Sequence, residues 1–105
     1  MTDCVVILVT AGSETEAETI AKTLVEERLA ACVNLVSPIR SIYRWAGTVA
    51  DEREWLLLIK TRVERFAAVA ARVKALHSYE VAEVIALPIV AGADEYLRWL
   101  RAETE

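Results

Sequence analysis

Two long stretches of strand-forming sequence, CVNLVSPIRSIYRW (Cys32–Trp45) and TVADEREWLLLIKT (Thr48–Thr61), are separated only by Ala46 and Gly47. A two-residue connection containing a glycine, which adopts positive φ without steric cost, reads as a tight hairpin. At about 3.3 Å per residue, a strand of about 13 residues reaches roughly 40 Å, whereas a globule of this chain's expected size is only about 33 Å across. The tip of the hairpin is therefore expected to project beyond its own core. Ser41, Tyr43 and Trp45 alternate with Ile42 and Arg44, a period of two, and Pro38, which has no N–H to donate, marks a bend or an unpaired position. An arm carrying Ile42, Tyr43, Trp45 and Trp55 exposes aromatic surface and strand edges, and self-association is the economical way to cover them.

The rest of the chain alternates between the two periodicities. CVVILVT, Cys4–Thr10, is a continuous β-branched run suited to a central strand. Ser13 and Glu16 have capping-box spacing, and the helix they introduce places Ala17, Ile20, Ala21, Leu24, Val25 and Ala31 on one face, with Glu18, Lys22, Glu26 and Glu27 largely opposite. Thr61 and Glu64 repeat that spacing before a second stripe of Phe66, Val69, Ala70, Val73 and Leu76. EVIALPIV, Glu83–Val90, reads as a fourth strand, and Tyr96, Leu97 and Leu100, with Trp99 nearby, anchor a third helix. A β-α-β-β-α-β order with right-handed crossovers predicts an α+β, ferredoxin-like sandwich with an added C-terminal helix. The 105 residues suit one domain, 1–105, large enough to bury a core without disulfides.

The charge balance narrows the functional classes. The formal net charge is −4, and Lys and Arg are not gathered on one face, which disfavours a nucleic-acid partner. Cys4 and Cys32 sit in apolar patterns and are expected to be free. No apolar run approaches the roughly 20 residues that span a bilayer, and the N-terminus opens without a basic leader pattern, so the expected location is cytoplasmic. The glycines, at 12, 47 and 92, build no phosphate loop, and HExxH, CxxC and GxSxG are absent. Nothing local activates either thiol, so the chain is expected not to be an enzyme.

The one histidine, His77, stands where the second helical pattern ends. One reading leaves it at the helix C-terminus, where an imidazolium meets the partial negative charge of the last carbonyls. The other makes it a metal ligand, with Glu80 and Glu83 following closely and Tyr79 between; imidazole with oxygen donors suits Cu(II), Zn(II) or Ni(II). Tyr43, Trp45 and Lys60 are candidates for a small-molecule cleft between subunits, with Glu83 near, or else simply pack the arm.

LVEERLAACVNL, SIYRWAGTV, LLLIKT, VKALHSYEVAEVIALPI and EYLRWL occur in this order, and together they resemble the signature segments of the CutA divalent-cation-tolerance family, in a match that runs from about Val5 to Arg101. The resemblance implies a cytoplasmic homotrimer of ferredoxin-like subunits, similar to the PII-type signalling proteins, with long hairpins pairing across subunit boundaries. It also implies tolerance to divalent cations, copper above all, and binding of Cu(II) or a related ion. His77 matches the family's recurrent histidine in a segment usually read HPYEVPE. Here it is HSYEVAE, and Ser78 and Ala82 in place of prolines imply a less rigid loop. Some bacterial relatives carry a second histidine directly before this one and a cysteine in the first strand as ligands; Leu76 and Val9 stand at those positions, so that ligand set is not copied. Cys32 matches a cysteine common in the family. Three expectations follow: a trimeric divalent-cation protein using His77 with Glu80 or Glu83, a PII-like module holding a metabolite near Tyr43, Trp45 and Lys60, or a trimeric scaffold for a protein partner.

Overall fold

The computed structural model describes every residue, Met1–Glu105. The elements follow in the order β1 (Cys4–Ala11), α1 (Glu14–Glu26), β2 (Cys32–Trp45), β3 (Thr48–Arg62), a 3-10 turn (Val63–Arg65), α2 (Phe66–Leu76), β4 (Val84–Pro88) and α3 (Asp94–Glu103). All neighbouring strands pair antiparallel, in the order β2-β3-β1-β4. This is the α+β arrangement expected from the alternating patterns, with the fourth strand trimmed to five residues.

Strand alternation sorts the sheet into two faces. Val5, Ile7, Val9, Leu57 and Ile59 are buried under α1 and α2 and join Ile20, Leu24, Val69 and Val73 in the main core. Each fully buried aliphatic side chain in such a cluster contributes roughly 1.5–3 kcal/mol. Val9 is fully buried in that core and Leu76 packs against it. The opposite face presents Val6, Leu8, Leu56, Leu58, Ile85 and Leu87, and no helix of the chain covers its centre. Ile85 and Leu87 are about half exposed, at 49% and 48%. α3 covers only the end of that face, packing Leu97 and Leu100 on Cys4 and Ala31. It is tied down by Arg65 Nε donating to the Thr104 carbonyl at 2.7 Å, Arg62 Nε donating to Thr104 Oγ1 at 2.9 Å, and the Asp3–Arg101 ion pair.

The hairpin projects as its length requires. The chain measures 44 × 25 × 22 Å, with a radius of gyration of 14.1 Å, against about 13 Å for a compact chain of this length. Ala46 and Gly47 take φ of 50° and 83°, the left-handed pair of a type I′ turn, closing the Trp45–Thr48 register. The ladder passes from Val36–Leu56 to Ile39–Glu54, so Ser37 and Pro38, joined by a cis bond, lie opposite Trp55 alone as a bulge. That confirms Pro38 as an unpaired position.

Three local expectations are corrected. α1 stops at Glu26, short of Ala31, because Arg28 takes φ of 60° and the Leu29 and Arg28 amides donate back to the Leu24 and Val25 carbonyls. This is a Schellman closure, with Leu24 and Leu29 packed in the same core, and it leaves Val25 exposed. Ser13 does accept the Glu16 amide at 3.2 Å, but the Glu16 carboxylate turns away to another partner, described below. Thr61 does not cap α2. It is a buried β3 residue whose hydroxyl donates to the Leu29 carbonyl at 2.7 Å, and α2 begins without a side-chain cap.

Candidate functional site

The segment between α2 and β4 is fixed by His77. Its amide caps α2 by donating to the Val73 carbonyl at 2.8 Å, and its side chain is fully buried. Nε2 lies 2.6 Å from the Thr10 carbonyl oxygen, and Nδ1 lies 3.0 Å from the Tyr79 amide nitrogen. A hydrogen on Nε2 lets the ring donate to Thr10 and accept from Tyr79, so both nitrogens are engaged. The ring therefore stitches the loop to β1 rather than returning to the last carbonyls of α2. Ser78 adds a second fastening, since its amide and hydroxyl donate to the two Glu16 oxygens at 2.7 and 2.8 Å. A proline could make neither contact. The loop expected to be loosened by Ser78 is instead held by it.

Tyr79 carries the loop across to the arm. Its ring passes so close to Gly12 that a Cβ there would lie 3.0 Å from the hydroxyl. The hydroxyl donates to Glu54 Oε2 at 2.7 Å. Glu54 is only 5% exposed, and its second oxygen takes no hydrogen bond from the protein. Burial, then the bond to Glu54, pushes the Tyr79 phenol far above its usual range. Burial and the nearby Glu54 charge raise the Glu83 carboxyl as well.

Beside this pair the arm and the loop border an open-sided cavity of about 580 Å³ whose walls include Tyr43, Trp45, Glu54, Tyr79, Glu80 and Glu83. No lysine or arginine lines it. Two of the candidate cleft residues, Tyr43 and Trp45, thus meet two of the candidate ligands, Glu80 and Glu83. Lys60 does not join them: it sits on β3 opposite Val6 and Cys32, with its ammonium on Asn34. His77 lies behind the loop, outside the lining. No three His, Cys, Asp or Glu side chains gather closely enough in one chain to hold a metal ion. Cys4 is buried, with its thiol pushed up by that burial, and Cys32 is half-buried; both are free.

Glu54 lies outside the segments that motif and composition mark, although the sequence carries a signal for it. It shares the strand register of Leu56 and Leu58, so a carboxylate there faces the half-buried side of the sheet. The Glu16–Ser78 clamp had no such signal, because 62 residues separate its ends.

A four-stranded antiparallel sheet backed by two helices, with a third helix at its end and a hairpin arm beside an acidic, aromatic-walled cavity, defines a small α+β fold of the ferredoxin-like kind. The chain belongs to the family of the CutA1 divalent ion tolerance protein, whose model matches residues 5–103. It is 58% identical over 99 residues to the divalent-cation tolerance protein CutA of Thermus thermophilus, covering 94% of this chain and 96% of that one. It is 45% identical over 100 residues to the protein CutA, chloroplastic, of Arabidopsis thaliana, covering 95% of this chain and 55% of the relative, so the chain spans about half the length of that plant protein. A solved structure of the divalent cation tolerance protein Cut A1 from Thermus thermophilus superposes with a TM-score of 0.95 at 56% identity, covering 97% of this chain and 99% of that one. No helix is long and apolar enough to cross a membrane.

Proposed function

We propose that this protein serves divalent-cation tolerance as a cytoplasmic homotrimer, binding an ion such as Cu(II) through the carboxylates of Glu80 and Glu83 at the mouth of the cavity. The observation that carries the reading is the uncompensated acidity of a cavity lined by three glutamates and no basic residue, in a chain of the divalent ion tolerance family. Two carboxylates do not complete a coordination shell, and a second copy of the chain is the natural source of further donors. Its presence is supported by the uncovered apolar sheet face and by the arm, on which Ile42 and Val49 are 64% and 63% exposed. Three copies arranged as in PII-type proteins would cover both surfaces in every subunit alike.

His77 enters this reading as the residue that positions the Glu80–Glu83 segment. Direct ligation by its imidazole would require giving up the Thr10 or the Tyr79 contact. With the imidazole engaged, the donors are oxygens, which suit harder ions as well as Cu(II). The test is calorimetric titration of Cu(II), Zn(II) and Mn(II) into the metal-free protein, the double variant Glu80→Gln/Glu83→Gln, and His77→Ala, with oligomer mass measured on each sample. Expected is a stoichiometric event lost in the double variant with the assembly intact. Unchanged binding in the double variant would sink the carboxylate assignment; loss in His77→Ala alone, at unchanged mass, would return the ligand role to the imidazole.

A further inference from the structure

The cavity has features that a bare metal ion leaves unexplained. Its volume of about 580 Å³ lies in the range of small-molecule sites, roughly 300–1,000 Å³. Its negative charge comes from Glu54, Glu80 and Glu83, yet no three acidic or imidazole groups converge as a coordination shell. The charge is spread along the walls instead of focused on a point. Glu54 is only 5% exposed and meets only a neutral phenol, so its second oxygen, open to the cavity, is an acceptor with no cation beside it. The remaining walls are aromatic, and Tyr43 and Trp45 are still 39% and 49% exposed. Aromatic faces attract ammonium groups and the methylenes attached to them.

We propose that this cavity binds a short aliphatic di- or polyammonium ion, one ammonium donating to the unpartnered oxygen of Glu54, another meeting Glu80 or Glu83, and the chain between them lying on Tyr43 and Trp45. An N–H donor is required because the free Glu54 oxygen is an acceptor. More than one positive charge is required because one ammonium leaves the other carboxylates uncompensated. An organic anion is repelled by every charged group of the lining, and a neutral molecule leaves the buried carboxylate unpaired. This ligand class goes beyond the metal-ion reading and stands or falls separately from it.

The experiment is calorimetric titration of the full chain with spermidine and with the matched pair putrescine and butanediol. Expected is saturable binding of spermidine near one per chain, weaker binding of putrescine and none of butanediol. Glu54→Gln keeps an acceptor for the Tyr79 hydroxyl but removes the charge, and is expected to weaken spermidine binding by about tenfold or more, the worth of one charge-assisted hydrogen bond. Tyr43→Ala is expected to weaken it severalfold. Glu95→Gln, on an exposed α3 residue outside the cavity, is expected to leave it unchanged. If Glu54→Gln does not fold, the double variant Glu80→Gln/Glu83→Gln takes its place with the same expected loss. The proposal is overturned by absence of saturable spermidine binding, by butanediol binding as well as putrescine, or by Glu95→Gln losing as much as the cavity variants. Cu(II) titrations on the same samples separate the two readings, since an intact metal event without spermidine binding overturns this one alone.

Discussion

The bond between the Tyr79 hydroxyl and Glu54 Oε2, 2.7 Å long, ties the α2–β4 loop to the arm. Tyr79→Phe removes the donor and leaves the ring in place. A hydrogen bond to a charged acceptor is worth about 1.5–3 kcal/mol, and the lower part of that range applies because the carboxylate still faces the cavity and water. In a Glu54→Gln background the same substitution removes only a neutral bond, worth about 0.5–1.5 kcal/mol. A double-mutant cycle in denaturant, at fixed protein concentration, should therefore return a coupling of about 1 kcal/mol. The pH dependence supplies a second check. The folded-state phenol pKa is raised above its unfolded value. Its contribution to stability is thus fully present below the unfolded pKa of about 10 and is lost as the pH rises beyond it. The parent should lose more stability than Tyr79→Phe above about pH 10. A coupling within error of zero, together with parallel alkaline profiles, would refute the bond as a structural tie.

Three further outcomes are expected. Ala46→Asn relieves a non-glycine residue at φ of 50° and should raise stability by about 0.5–1 kcal/mol in chemical denaturation; a decrease would contradict the type I′ assignment. Leu87→Glu places a charge in the uncovered sheet face without disturbing the core under α1 and α2, and light scattering should give a mass near 11.7 kDa in place of the three times that value expected of the proposed trimer. An unchanged trimeric mass would show that another surface holds the copies together. His77→Ala deletes a buried ring with its contacts to Thr10, Tyr79 and Glu16 and should cost about 3 kcal/mol, read by thermal or denaturant unfolding. Unaltered stability would mean that the ring does not fasten the loop.

Local chemistry alone determined the element order, the two-residue turn and the projecting arm. Each rests on periodicity, on a glycine at a forced positive φ, or on strand length set against chain volume. The covered and uncovered faces of the sheet follow from the same period of two, once the helices are assigned to one side. The ends of elements were less legible. α1 closes through Arg28, a residue with no intrinsic preference for the left-handed region, and Thr61 spends its hydroxyl on Leu29 because the fold brings that carbonyl to it.

The site divides in the same way. Sequence reading picked out Tyr43, Trp45, Glu80 and Glu83, and the fold gathers those four around one cavity. It could not see that Lys60 faces Asn34, that Ser78 fastens to Glu16, or that His77 bridges to Thr10, because these partners are 26, 62 and 67 residues apart along the chain. Contacts at such separations have no local signature: burial of the carboxylate and imidazole, and the donors that satisfy them, exist only once β1, the arm and the α2–β4 loop pack together. The sequence could say which groups are acidic, aromatic or titratable. Only tertiary structure decided which of them keep an open oxygen and which are already satisfied.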